Sequence, residues 1–119
     1  MDRKKINQWD GLLLEERNVE KALDEAIETQ RKMDKLEDKY SELFYRVNHL
    51  VSRLDQFIGN DQEKQMTEEL RWQVQQKKKA VFFHLEEEKE KLLKETKELQ
   101  DQEDLIYYQK KRLLIEEKV

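Results

Sequence analysis

The sequence predicts an all-α protein, two long antiparallel helices folded into a coiled-coil hairpin. Three observations carry that expectation. The chain has no proline and two glycines among 119 residues. Charged residues make up 44% and hydrophobic residues 36%, the balance of a coiled coil or long helix. Apolar residues return every seven positions on both sides of a single Gly59-Asn60 break. Disordered chains share the high charge but have no reason to keep such a register.

The first helix is expected over about residues 3–58. One ladder reads Leu12, Val19, Ala26, Met33, Tyr40, Val47, Leu54. A companion set three residues further on reads Ala22, Leu36, Leu43, Leu50, Phe57, with Thr29 as its polar member. This double stripe outlasts the three or four heptads that define a coiled coil. The turn falls at residues 59–61. Gly59 supplies a left-handed residue to end the helix, and Asn60 or Asp61 caps the next one.

The second helix is expected over about residues 62–117. Its ladder is Leu85, Leu92, Leu99, Ile106, Leu113, whereas the partner positions Glu88, Glu95 and Gln102 are polar. Met66, Leu70, Val74 and Val81 extend a looser stripe towards the turn. Read backwards, this ladder matches the first: Leu12 with Ile106, Val19 with Leu99, Ala26 with Leu92, Met33 with Leu85. Near the turn, Leu54 meets Met66. The whole chain thus reads as one hairpin.

A two-helix seam does not use every apolar residue. Leu23, Phe44, Val51 and Ile58 share a heptad position beside the first ladder. On the second helix Trp72, Leu93, Tyr107 and Leu114 share another, with Phe82, Tyr108 and Ile115 close by. Apolar faces this wide belong to bundles of three or more helices. The partner-binding surface is therefore expected at Leu23, Phe44, Val51, Trp72, Phe82, Leu93, Tyr107, Tyr108 and Leu114.

Catalysis finds no foothold. Cysteine is absent, so thiolate chemistry and disulfides are excluded. His49 and His84 lie on different helices at unmatched heights, and neither has the companions a metal site needs. Carboxylate runs such as Glu86-Glu87-Glu88 read as solvated helix faces that pair with lysines one turn away. No catalytic residue, cofactor or metal is expected. A net charge of −4 argues against duplex nucleic acid, which selects a basic face. No apolar run is long enough to span a membrane, and the polar amino terminus has no leader-like stretch. The expectation is a cytoplasmic protein.

One stretch of the second helix carries a resemblance. Lys79-Ala80-Val81-Phe82-Phe83-His84-Leu85-Glu86-Glu87-Glu88-Lys89-Glu90-Lys91-Leu92-Leu93 is followed by Leu99-Gln100-Asp101-Gln102-Glu103-Asp104-Leu105-Ile106-Tyr107-Tyr108. Together with the size and the single hairpin, this resembles the small α-helical proteins associated with LXG-domain toxins in Gram-positive bacteria. The resemblance implies a targeting chaperone. It would bind the helical LXG region of a toxin, with a second small hairpin protein alongside, for type VII secretion. Export alongside the toxin is then an open alternative to a cytoplasmic location. Trp9-Asp10-Gly11 is a W-x-G string, but in type VII hairpins that string occupies the turn, and here the turn is expected at Gly59. The tail motif Tyr-x-x-x-acid is missing, since Lys111 and Arg112 follow Tyr107 and Tyr108 four residues on. That pattern assigns toxin binding to this chain and the export signal to another. The runner-up reading is a homo-oligomeric coiled-coil scaffold, in which the same stripes drive self-association.

Overall fold

The structure, a computed structural model, describes residues 2–57 and 59–118. Ile58, expected beside the seam, lies outside the described residues. Two helices make up the fold: α1 spans Arg3–Phe57 and α2 spans Asp61–Lys118. They form the predicted helical hairpin; the expected end of the first helix at residue 58 lies outside the described residues.

Both helices start on a side-chain cap. The Asp2 carboxylate accepts the Lys5 backbone N–H at 2.7 Å, so an orphan donor of the first turn is satisfied. At α2 the Asn60 side-chain oxygen accepts the Glu63 N–H at 2.8 Å. Glu63 reaches back towards the Gly59 N–H at 3.4 Å, a looser return contact of capping-box kind. Asp61 and Glu63 in the first turn also suit its positive dipole end. Asn60, not Asp61, is the cap, and Asp61 is already helical. No positive-φ glycine is found among the described residues; the expected left-handed conformation at Gly59 turns on its bond to Ile58, which lies outside them. An N-cap is entered through extended backbone, so the described side of this turn needs no left-handed residue.

Packing divides the chain into two compact units. One contains Met1–Gln30 and Glu90–Val119, the other Arg31–Lys89. Each is an antiparallel pair of helical segments. The first buries Val19, Ala26, Leu92, Ile106 and Leu113, with Leu12 and Leu99 half-buried. The second buries Phe44, Val51 and Thr67; Met33, Tyr40, Val47, Phe82 and Leu85 are half-buried. Thr67 is a polar core residue whose hydroxyl donates to the Glu63 carbonyl at 3.0 Å, which removes the penalty of an unpaired group.

Apart from Leu54, the ladders are buried or half-buried, but their companions differ from expectation. Leu36, Leu43, Leu50 and Leu54, placed in the seam by sequence, are exposed. Phe44 and Val51, placed on the partner surface, are core residues, and Val51 is only 3% exposed. Leu23 and Phe82 are half-buried, and Phe82 packs against Phe44 with ring centroids 6.1 Å apart. From Met33 to Val51 the α1 companions are thus four residues beyond each ladder position, not three, whereas nearer the amino terminus Ala22 and Leu23 are both half-buried. On a helix these rows lie about 40° to one side of the ladder and about 60° to the other. Sequence spacing alone allows either. The first part of α2 keeps Val74 and Val81 half-buried, three beyond their ladder positions; further on, Lys89, Thr96 and Lys110 take the position four beyond.

The pairing also shifts by a heptad. Leu12 shares a groove with Leu113, and Val19 shares one with Ile106, where Ile106 and Leu99 were expected. Helical side chains lean towards their own N-terminus. In an antiparallel pair, α1 tips therefore lean away from the turn and α2 tips lean towards it. An α1 side chain consequently meets an α2 residue rooted farther from the turn, and at about one position per helix this lean supplies about two of the seven residues of the shift. Near the turn itself Leu54 does share a groove with Met66 and Leu70.

Candidate partner-binding face

What the hairpin leaves outside is decided by what its seam needs inside. Cross-helix pairs fasten the companion rows within each unit. In the first unit Lys110 donates to Glu16 at 3.0 Å, and its ammonium stands 5.1 Å from the Trp9 ring centroid, a cation–π distance. In the second, Lys89 pairs with Glu37 and stands 3.6 Å from Asp34. Arg71 bonds Asp55 at 3.0 Å closer to the turn. The Glu37 hydrogen bond raises the Lys89 pKa above the ordinary lysine value. Partial desolvation opposes that shift, and the charges of Glu37 and Asp34 add to it.

These pairs occupy α1 positions four beyond the ladder or next to them. Seating them in the seam turns the opposite companion row outward. That row is Leu36, Leu43, Leu50 and Phe57, one apolar residue per heptad and all exposed, with Phe57 84% exposed. Leu54 continues it towards α2, where Met66 and Leu70 line the same groove beside Glu63 and Glu69. A second groove in this unit is polar: Asn48, Ser52, Arg71, Gln75, Gln76 and Lys79 surround Trp72. The two grooves of the second unit thus differ in character, one apolar and one polar.

In the first unit the uncovered apolar residues concentrate on α2. Leu93, Tyr107, Tyr108 and Leu114 are exposed as expected, together with Leu105 and Ile115. Tyr107 and Tyr108 meet edge to face with centroids 5.5 Å apart. Trp72, the remaining expected partner residue, is 63% exposed but sits among polar neighbours. Leu36, Leu43 and Leu50 were missed as surface because their row is the more apolar of the two companions. The signal that could have found them is Glu16 and Glu37 four beyond the ladder, facing Lys110 and Lys89 at the equivalent α2 positions.

The Tyr45 and His49 rings stack at 6.5 Å, and His84 stands 3.6 Å from Glu87. Among the described residues no three His, Cys, Asp or Glu side chains gather in a way that could hold a metal ion. Trp9 and Gly11 both lie inside α1, so the W-x-G string is not a turn. Among the described residues no helix is long and apolar enough to cross a membrane.

The fold is a helical hairpin that leaves rows of apolar residues exposed. By sequence the chain belongs to the family described as protein of unknown function DUF3958, whose pattern matches residues 6–113. No curated protein and no solved structure matches the chain.

Proposed function

We propose that this protein is a non-enzymatic adaptor and targeting chaperone. It binds the helical LXG region of a type VII secretion toxin beside a second small helical hairpin protein and promotes the toxin's export. The observation that carries this reading is the exposed row Leu36, Leu43, Leu50, Phe57. Apolar residues at heptad spacing form one of the two rows of a helix seam, and extended apolar patches mark interaction sites. The exposed Leu93, Tyr107 and Leu114 on α2 offer a second footprint, enough for the second hairpin. The resemblance along residues 79–108 supplies the identity of the cargo. The protein acts in the cytoplasm, before the toxin reaches the secretion machine.

Co-expression with the helical LXG region of a type VII secretion toxin tests the proposal. A stable heteromer on size exclusion is expected, with the toxin region less soluble when expressed alone. If the chain forms only a tight homo-oligomer and ignores the toxin region, the scaffold reading takes its place.

A further inference from the structure

The apolar row of the second unit has a neighbour that the seam does not use. Lys32, Lys39, Arg46 and Arg53 also recur every seven residues, each one turn before Leu36, Leu43, Leu50 and Phe57 respectively. Residues four apart are neighbours on a helix surface, so a basic stripe runs directly beside the apolar one. All four are exposed. Arg46 contacts Glu42 at 2.6 Å, but a solvent-exposed pair of this kind holds a charge only weakly. Across the groove the rim is acidic, with Glu63 and Glu69 beside Met66 and Leu70.

We propose that this face docks an amphipathic helix from another protein. The helix seats its heptad apolar residues along Leu36–Phe57 and presents carboxylates to Lys32, Lys39, Arg46 and Arg53. The inference rests on the adaptor reading and adds which face takes the helix and what charge the helix carries. Area supports it. The exposed surface of Leu36, Leu43, Leu50, Leu54, Phe57, Met66 and Leu70 comes to roughly 700–800 Å², an upper bound on what a docked helix covers and close to one partner's share of a standard interface.

Two other occupants fit less well. An antiparallel second copy, row on row, would set the basic stripe against its own image, because such pairing brings like flanks together. An anionic lipid surface attracts basic amphipathic helices, but the acidic rim of Glu63 and Glu69 opposes it. A bilayer also has no use for a strict seven-residue spacing. A helix answers both the spacing and the two-signed rim.

The test uses the full chain and two synthetic four-heptad helices with identical leucine seams. One is flanked by glutamates, the other by lysines. At low salt the glutamate peptide should bind about tenfold tighter by fluorescence anisotropy, an advantage that shrinks at high salt. Lys39→Glu with Arg46→Glu should reverse the preference. Leu43→Glu with Leu50→Glu should abolish binding of both peptides while the circular dichroism spectrum stays helical. Equal affinity for the two peptides overturns the charge assignment. Stronger binding to phosphatidylglycerol vesicles than to either peptide overturns the helix as occupant. A homodimer that Leu43→Glu with Leu50→Glu dissociates makes the occupant a second copy. The LXG region is the separate arm. If wild type does not bind it, the adaptor reading fails while the peptides still judge the face. If the leucine variant binds it as well as wild type, the face is wrong and the adaptor reading stands.

Discussion

The two compact units are built from the same two helices, yet they treat their apolar residues differently. The first unit closes over small and branched residues, Val19, Ala26, Ile106 and Leu113, and leaves its surplus on α2 at Leu93, Tyr107 and Leu114. The second closes over an aromatic pair, Phe44 against Phe82, and leaves its surplus on α1 at Leu36, Leu43, Leu50 and Phe57. In both, a charged pair is drawn into the seam's edge, Glu16–Lys110 in one and Glu37–Lys89 in the other. The difference teaches that a hairpin buries the row that finds partners across the seam, not the row with the most leucines. Separating partly buried charges leaves each without its counterpart, whereas an exposed leucine forgoes only its transfer energy.

Opposing substitutions within the second unit give the sharpest break of this comparison. Phe44→Ala should cost about 3–5 kcal/mol of stability, the range for a buried aromatic, and lower the thermal midpoint by many degrees. Leu50→Ala, in the next turn on the same helix, should cost well under about 1 kcal/mol, as a surface change does. Chemical denaturation of the two variants compares them directly. Equal losses would put Leu50 back into the seam.

The charged pairs come next in size. Lys89→Ala should cost about 1–2 kcal/mol, the range for a hydrogen bond to a charged group in a partly buried setting. A double-mutant cycle with Glu37→Ala should recover part of it. Lys110→Ala in the first unit should behave similarly, with an added loss from the Trp9 ring. Additive effects at Glu37 and Lys89 would show that the pair decorates the seam without fixing it.

Lys89 also gives the second unit a pH signature. Its folded pKa lies above the ordinary value of 10.5 because Glu37 and Asp34 hold the charged form. The stability this contributes is fully present below 10.5 and is lost as pH rises through the folded value. Denaturation midpoints measured from neutral into alkaline solution should therefore fall in wild type more steeply than in Lys89→Met. Parallel curves would remove Lys89 as the source.

The smallest effect belongs to the turn. Asn60→Ala should cost about 1 kcal/mol through loss of the α2 cap, and Asn60→Gly only a few tenths. Hydrogen exchange in the first turn of α2 would register the difference. If the Glu63 amide exchanged at the same rate in all three proteins, the cap would not be held by Asn60 in solution.

Much of the architecture was legible from residue spacing. Two helices, the break beside Gly59-Asn60 and the ladders through Val19, Ala26, Leu92 and Ile106 all follow from period and capping chemistry. The candidate face was legible only in part. Leu93, Tyr107, Tyr108 and Leu114 are exposed as anticipated, whereas Phe44 and Val51 exchanged places with Leu43 and Leu50. Hydropathy favours the row through Leu36, Leu43 and Leu50, and hydropathy does not contain Lys89. Trp72 was found on the surface, but in a polar groove that spacing could not foresee.

Left to itself, the sequence determined that the chain is helical, where it reverses and which residues form the ladders, because these depend on neighbours within a few turns. Tertiary structure decided which companion row turns inward and which α2 residue each α1 side chain meets. Rows three and four residues beyond a ladder flank it on either side, so a single helix has little to choose between them. Only the opposite helix can break the tie, with Phe82 for Phe44, Lys89 for Glu37 and Lys110 for Glu16.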